Sequence, residues 1–473
     1  MKLFQKLIVL GAALLLGTSS STQDTSKMLS AEQFVQLVRQ YHPVALQADN
    51  TIEQARAGIT AARRFFDPVL TMDAAEKVFD GKQYYRYTQP QITIPTWYGI
   101  ELYAGTENMM GARVSPEETL GRTSYAGVSI PLLKNLLLDK RRATLQQAKI
   151  LQQQSEVEKR IALNDLLHEA LNSYWMWVQQ HLLKNTIDRL VAVNQKRLEL
   201  VKTSYRLGER PAIDTVEALT QLQSFLSLQQ EQDLALQNAA IELSVFLWTS
   251  KNEPHLLPAG VQPASGLLHV STMKFGAADS LLQVARAEHP ELQQYNFKLN
   301  FLEVEQRLKF QSLLPKLDVK YNQLGTGYNV AKTATAPWLE HNYRYGISFS
   351  LPLRLSEGRG EYRAAKLKIK SAELDRAQKA VQLESKIKVY TNKLQTLQAQ
   401  LAIQQQVLNN VRTLQRAEEV RFFSGESSLF LINSRENKVL EAEQKLIELQ
   451  IKQAQANIDL QWAAGTLHRQ VNL

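Results

Sequence analysis

Residues 342–353 read NYRYGISFSLPL and lead into a helical pattern without proline, from about residue 357 to residue 422. The pattern ends at the turn SGE, residues 424–426, and a second helical pattern follows. Alternating polar and apolar residues predict a strand, and the unbroken run predicts a helix roughly 100 Å long. This stretch therefore predicts a strand, a very long helix, a glycine turn and another helix.

The same order occurs earlier in the chain. GVSIPLL at residues 127–133 precedes a helical pattern at 139–204 that contains no proline or glycine, and YRLGE at 205–209 ends it. Pro43 and Pro68 recur as Pro290 and Pro315, with the same offset of 247; Pro131 recurs as Pro352, and Gly208 as Gly425. Landmarks that recur in one order indicate an internal duplication.

The duplication predicts the following domain organisation. A signal peptide occupies 1–21, and the first repeat occupies 22–248, with strands at about 68–131, the long helix at 139–204 and a helix at 212–248. A linker rich in proline and glycine follows at 249–274, and we expect it at mid-height. The second repeat occupies 275–473, with strands at about 315–352, the long helix at 357–422 and a helix at 427–465.

The N-terminus has the pattern of a secretory signal. Lys2 and Lys6 precede an apolar stretch at 7–17, and small residues follow at 18–21. The apolar stretch is about half the ~20 residues that span a bilayer; a buried N-terminal helix is the alternative. The chain contains no cysteine, which excludes disulfides, thiolate catalysis, cysteine metal sites and the lipoprotein type of acyl anchor.

The charge pattern argues against nucleic acid as a partner. The formal net charge is +9, and +7 remains without Lys2 and Lys6. Lys and Arg are interspersed with Glu and Gln along the helical patterns, which is typical of solvated helix faces.

Several segments with strand character lie between the helical patterns. They are rich in Tyr, Thr, Val and Ile and are separated by turn signals. Their residues are 69–77, 84–94, 98–105 and 123–130 in the first repeat, and 316–324 and 342–351 in the second. Tyr and Trp residues concentrate there, as at a membrane interface, and the segments have the ~9–11 residues of a tilted membrane strand. An ordinary antiparallel sheet with an aromatic core is the alternative.

The helix lengths predict how the chain packs. In the second long helix, Leu383, Ile387, Tyr390, Leu394 and Leu397 follow a heptad spacing, so this helix should pack lengthwise against others. The shorter helices of each repeat together have nearly the length of the long one, which predicts one continuous and one broken rod per repeat.

One chain has too few strands for a closed barrel, and open edges cannot lie in lipid. Three copies would supply twelve strands at two per hairpin; residues 84–105 either raise that number or fold outside the barrel.

This layout resembles the TolC-type outer-membrane factors of efflux pumps and type I secretion systems, over nearly the whole chain after the signal. The paired strand–helix junctions and helix turns carry the resemblance. It implies a mainly α fold with membrane β, in which long helices form an α-helical barrel and three chains share a twelve-stranded β-barrel. It also implies a homotrimer in outer-membrane lipid with a periplasmic helical portion, docked onto a periplasmic adaptor and an inner-membrane transporter. The strand region between Pro68 and Pro131 is longer than in the family.

The turns between helices are the predicted adaptor contacts. Gly208 and Gly425 should adopt a left-handed conformation that ends each helix. In the family these turns form the periplasmic tip, and the alternative is that they only shape the turn. The candidate residues are Arg206, Leu207, Gly208, Glu209, Phe423, Ser424, Gly425 and Glu426.

An acidic ring is a further candidate. Some relatives constrict the pore with an acidic pair six and nine residues after the second glycine, but Leu431 and Ser434 occupy those positions here. The first repeat has Asp214 and Glu217 instead, one turn apart on one helix face. Three copies would form two rings that favour cations; the alternative is favourable placement of acids in a first helical turn.

The sequence shows no catalytic motif, and we predict that the chain is not an enzyme and has no metal or cofactor site. The eight histidines are scattered, and the matching His42 and His289 precede proline, which favours a structural role. The predicted function is a passive exit duct from periplasm to exterior, with the substrate unspecified. The alternative is a periplasmic coiled-coil scaffold, or an adaptor-like protein, without a pore.

Overall fold

The computed structural model describes residues 28–112, 119–258, 260–264 and 276–469. The predicted signal peptide at 1–21 lies outside these residues. The described part is mainly helical, with one large sheet at the end where the long helices begin.

The first half of the chain contains a short strand, two helices, four long strands and two further helices. They are β1 (Met28–Leu29), α1 (Ala31–Tyr41), α2 (Pro43–Arg63), β2 (Val69–Phe79), β3 (Lys82–Pro95), β4 (Glu101–Met110), β5 (Gly121–Pro131), α3 (Lys140–Arg206) and α4 (Ala212–Ser244). The second half follows a similar order with fewer strands. It contains β6 (Gln262–Pro263), α5 (Gly276–Glu288), α6 (Pro290–Phe310), β7 (Lys316–Thr326), α7 (Val330–Ala334), β8 (Tyr343–Ser350), α8 (Ser356–Phe423) and α9 (Leu429–Ala463).

The two His-Pro pairs divide helices in the same way. Nδ1 of His42 accepts a hydrogen bond from the backbone N–H of Val44 at 3.2 Å, and Nδ1 of His289 accepts one from Glu291 at 3.2 Å. The following proline occupies the first turn of α2 and of α6, where a missing N–H leaves no bond unmade. The predicted interruption is confirmed, and each histidine serves as an N-cap.

The long helices are α3, with 67 residues, and α8, with 68 residues. Asp139 caps the N-terminus of α3 by accepting from the backbone N–H of Arg142 at 2.8 Å. The predicted seam of α8 is buried: Leu394 and Leu397 pack with Leu449 and Ala456 of α9. The expected lengthwise packing of this helix is confirmed.

The helices form four rods side by side. α3 packs against α2 and α4 on one side and against α6 and α9 on the other, and α8 packs against α6 and α9. The order across the layer is therefore the broken rod α2/α4, then α3, then the broken rod α6/α9, then α8. Within the described residues, α2/α4 and α8 are the two outer rods.

A core at mid-height packs β1 and α1, the first described elements, against α3. Phe34 of α1 stacks on Tyr174 with ring centroids 5.6 Å apart, and Trp177 is buried beside them. The Tyr174 hydroxyl donates to the carbonyl oxygen of Leu29 at 2.9 Å. The strand that contains Leu29, β1, pairs in parallel with β6, so part of the residue 249–274 segment lies beside the middle of α3.

Within the described residues, six antiparallel strands form one sheet in the order β2-β3-β4-β5-β7-β8. All six predicted strand segments are present. The sequence left open the place of residues 84–105; in the structure β3 and β4 are hydrogen-bonded between β2 and β5, so the first repeat has four strands in this sheet. The sheet has two outer edges, β2 and β8.

The two faces of the sheet differ in polarity. Residues directly opposite each other on neighbouring strands share a face, and faces alternate along each strand. One row contains Thr71, Gln91, Gly105 and Tyr125, and the Tyr125 hydroxyl donates to Oε1 of Gln91 at 2.7 Å. The adjacent row on the other face contains Leu70, Ile92, Ala104 and Ala126. The half of the sheet nearest the helices thus has a polar face and an apolar face. Farther along the strands, Arg86, Asn108 and Arg122 lie on the same side as Ile92.

Among the described helices, none contains an apolar stretch that could span a bilayer.

Candidate functional site

The two turns between long and short helices have the same backbone geometry. Gly208 has φ +78° and Gly425 has φ +77°, both in the left-handed region. Each turn is closed by paired backbone hydrogen bonds: Glu209 N–H donates to Ser204 at 2.9 Å, and Glu426 N–H donates to Arg421 at 2.8 Å. The predicted left-handed glycine ends are confirmed, and they let each helix stop and reverse within three residues.

Both turns lie at the end of the molecule opposite the sheet. The Arg210 guanidinium stacks 3.7 Å from the ring centroid of Phe422 and donates to the carbonyl oxygen of Phe422 at 3.4 Å. One apolar cluster below the turns includes Val201 and Leu222 from the first repeat and Leu429 and Ile432 from the second. The two helical hairpins therefore form one tip.

The predicted contact residues are exposed at this tip. Leu207 is 68% exposed and Phe423 is 79% exposed, so two large apolar side chains project into solvent. The others, Arg206, Gly208, Glu209, Ser424, Gly425 and Glu426, are exposed as well. An exposed apolar pair surrounded by polar residues is typical of a surface that binds another protein.

Asp214 and Glu217 lie on the first turns of α4, close to the second repeat. Asp214 forms an ion pair with Arg210 at 3.3 Å, and Glu217 accepts from the side-chain amide of Asn433 at 3.2 Å. Burial raises the pKa of Glu217, the amide of Asn433 opposes this, and the charge of Asp214 adds to the rise. The structure thus brings the two acids together, and each has a polar partner from its own chain.

A buried ion pair below the tip was not predicted from the sequence. Arg197 of α3 binds both carboxylate oxygens of Glu436 of α9, at 2.9 and 3.1 Å. The side chain of Glu436 is only 1% exposed and also accepts from Asn194 at 3.0 Å. The partners are 239 residues apart, so no local sequence signal could have found them.

The described residues contain no group of three or more His, Asp or Glu side chains that could hold a metal ion.

Comparisons with known proteins bear on this architecture. Residues 281–466 match the family model described as outer membrane efflux protein. This part of the chain is therefore similar to outer membrane efflux proteins. No curated protein sequence matches the chain.

Solved outer-membrane channels have the same fold over nearly the whole chain. The Campylobacter jejuni CmeC outer membrane channel is 14% identical, with 98% of this chain and 94% of that chain covered and a TM-score of 0.60. The outer membrane protein VceC of Vibrio cholerae is 16% identical, with 92% and 96% covered and a TM-score of 0.62. The open state of the Neisseria gonorrhoeae MtrE outer membrane channel is 13% identical, with 94% and 91% covered and a TM-score of 0.64.

The resemblance to TolC-type outer-membrane factors is thereby confirmed. The matched family consists of efflux proteins and not of enzymes, in agreement with the lack of a catalytic motif. The family match and the fold support an outer-membrane location and a role in efflux.

Proposed function

We propose that this chain is one third of a trimeric outer-membrane exit duct, a passive conduit from periplasm to exterior in an efflux pump or type I secretion system. One observation carries the proposal: the described part of the single chain has two open sides. Its helical layer and its sheet end on the same two sides, α2/α4 with β2 on one side and α8 with β8 on the other.

The outer helices have apolar residues that their own chain does not cover. On α8, Leu367, Leu374 and Val381 follow a seven-residue spacing and are 56–69% exposed. On α4, Leu234 and Ile241 are likewise exposed at a seven-residue spacing. A seven-residue apolar repeat is the pattern of a helix that packs lengthwise on another helix. We assign these stripes to contacts between neighbouring copies.

The two edges of the sheet also require contacts between neighbouring copies. β2 and β8 have backbone donors and acceptors without a strand partner among the described residues, and an open edge is not tolerated in lipid. Because β2 and β8 run in opposite directions, β8 of one copy fits antiparallel beside β2 of the next. A closed ring of copies puts the apolar face towards outer-membrane lipid and the polar face towards the lumen.

Arg206, Leu207, Gly208, Glu209, Phe423, Ser424, Gly425 and Glu426 form the proposed contact with a periplasmic adaptor, which connects the duct to an inner-membrane transporter. Supporting observations are the shared tip and the exposure of Leu207 and Phe423. Asp214 and Glu217 remain our candidates for an acidic ring at the same end. The repeat boundaries given above remain part of the proposal.

The trimer and its membrane location are testable together. We expect the full chain in the outer-membrane fraction, extractable only with detergent, with a native mass of three subunits. Leu374→Glu combined with Val381→Glu should reduce the mass to one subunit, because two charges would be buried in each contact. Lys366→Glu, an exposed position on another face of α8, is the matched control and should stay trimeric.

A water-soluble protein released without detergent would contradict the duct and favour a periplasmic coiled-coil scaffold. A trimer of the Leu374→Glu, Val381→Glu variant would show that α8 is not the contact. Photo-crosslinking from Arg206 or Phe423 in living cells would identify the adaptor, and no adaptor captured from either position would contradict the proposed docking tip.

A further inference from the structure

The hairpin of β3 and β4 is part of the sheet wall. β3 pairs with β2 along residues 69–79 and with β4 along residues 101–110, and β4 pairs with β5 from Glu101 to Met109. The ladder from β2 to β8 is therefore continuous over six strands. A hairpin outside the wall would leave β2 and β5 paired with each other, and they are not.

In the half nearest the helices, the hairpin has the same polar and apolar faces as its neighbouring strands, whereas Arg86, Thr88 and Asn108 occupy the apolar side in the far half. Ile92, Ile94 and Leu102 lie on the apolar face and are each about 40% exposed in the single chain. On the polar face, the Gln89 amide donates to Oε1 of Glu107 at 2.8 Å. A hairpin exposed to water on both sides would not be expected to have an apolar face that continues the apolar face of β2 and β5. This separation indicates that lipid covers one side of the hairpin in the half nearest the helices.

We propose that three copies of this chain close an eighteen-stranded β-barrel, six strands from each, and that the β3–β4 hairpin forms one third of its wall. This inference rests on the trimer proposed above and adds the size of its pore. Two further copies of the same chain pair with the open edges, one with β2 and the other with β8. An even number of strands per chain keeps every contact antiparallel around the ring.

The circumference of the helical part supports this number. Four rods per chain give twelve in a trimer, and twelve rods about 9 Å apart need a ring of roughly 110 Å. Eighteen strands about 4.8 Å apart, tilted by about 40°, also need roughly 110 Å, whereas twelve strands need only about 75 Å. Eighteen strands therefore continue the helical tunnel without narrowing it.

The wider barrel has a functional consequence. Barrels of 16–18 strands enclose an aqueous channel, and the polar face would line this one. The barrel would then set no size limit on the exported molecule, so the limit lies at the tip of the helices. The proposed substrate class is accordingly any water-soluble molecule that the tip admits.

Spin labels on single cysteines test the position of the hairpin. The chain has no cysteine, so each label reports on one site. With the trimer in phospholipid vesicles, we expect labels at Ile92 and Ala104 to be accessible to oxygen but not to a water-soluble nickel complex. Labels at Gln91 and Thr93 should show the reverse, because they lie on the polar face. Leu70 of β2 and Val128 of β5 are the matched controls, since they occupy the apolar face in either arrangement.

The outcomes separate this inference from the proposed function. If the trimer forms and Leu70 and Val128 report lipid, but Ile92 and Ala104 report water, the hairpin lies outside the barrel and eighteen strands are wrong. The exit duct would stand in that case. If native mass spectrometry finds no trimer, both proposals are overturned.

Discussion

Arg197 and Glu436 form a bidentate ion pair between the two repeats, about three helical turns from the turn at Gly208, with N–O distances of 2.9 and 3.1 Å. Asn194 supplies a second donor to the same carboxylate, and Asn433 beside it donates to Glu217 of α4. The pair thus joins α3 to α9, and the hydrogen bond between Asn433 and Glu217 joins α4 to α9 nearby. Planar guanidinium–carboxylate geometry makes it more directional than a lysine pair.

Removal of one partner should destabilise the helical tip. Arg197→Ala leaves the carboxylate of Glu436 buried and unpaired, which typically costs about 3–5 kcal/mol. Glu436→Gln should cost less, because a neutral amide remains hydrogen-bonded. Thermal unfolding followed by the helical circular dichroism signal, at fixed protein concentration, measures both effects.

The matched control is the exposed pair of Lys202 and Glu199, 3.2 Å apart on α3. Lys202→Ala should change stability by less than about 1 kcal/mol, because exposed pairs contribute little. If Arg197→Ala melts at the same temperature as Lys202→Ala, the buried pair does not stabilise the tip.

The glycines of the two turns should be sensitive to a methyl group for conformational reasons alone. A Cβ at Gly208 or Gly425 would meet no atom within 4 Å, but both residues have positive φ. Gly208→Ala and Gly425→Ala should each cost about 1–2 kcal/mol, and the Asn variants less. Gly360→Ala in α8 is the control: it also meets no atom, lacks a positive φ, and should leave stability unchanged or raise it by up to about 1 kcal/mol. Equal effects at all three glycines would refute the strain argument.

Phe423→Glu and Leu207→Glu should weaken adaptor binding without changing the fold. Both side chains are largely exposed, so they contribute little to the stability of the free protein. A buried charge in the complex would cost several-fold to a hundred-fold in affinity. Co-purification of the adaptor from membranes measures the effect, with Met176→Glu at mid-helix as the control. Full adaptor recovery with both tip variants would exclude these side chains from the contact.

The parts of the fold that could be predicted are those that depend on residues close together in the sequence. Examples are the proline after histidine, the glycine at each turn and the heptad seam of α8. Each determines the structure of residues close to it in the chain, so the sequence shows it directly. The sheet contrasts with this. Whether β3 and β4 stay in the wall depends on hydrogen bonds to β2 and β5, which no periodicity within the hairpin determines.

The same distinction applies to the candidate site. The turn residues could be named from the sequence because a helix end has its own signature. Glu436 could not, because it looks like any other acid on a helix until α9 is placed against Arg197. The partners of Asp214 and Glu217 are also set partly by α9, through Asn433.

The protein should lose stability in mild acid. Burial, with help from Arg469, Arg160 and Arg39, lowers the pKa of His468 to about 4, below the usual value of about 6.5. The unfolded chain therefore binds a proton that the folded chain excludes, and stability is complete above pH 6.5 and declines as the pH falls towards 4. The loss at this residue is up to about 3 kcal/mol.

His468→Gln removes this titration and should reduce the decline in melting temperature between pH 6.5 and pH 4; burial also lowers the pKa values of His42, His181 and His289, which maintain the rest of the decline. His255→Gln, at an exposed position, is the control and should leave the decline unchanged. A variant at His468 with the wild-type pH profile would show that other groups cause the acid sensitivity.

The acidic pair at the start of α4 should influence ion selectivity in planar bilayers. Asp214→Ala with Glu217→Ala should reduce the preference for cations, because three copies lose two carboxylates each. Arg210→Ala should have the opposite effect, since it removes the cation that lies 3.3 Å from Asp214. Glu209→Ala, at the exposed turn just outside the pair, is the matched control for the loss of one negative charge. Reversal potentials in a salt gradient measure all three, and an unchanged potential in both the double variant and Arg210→Ala would remove this pair from the pore.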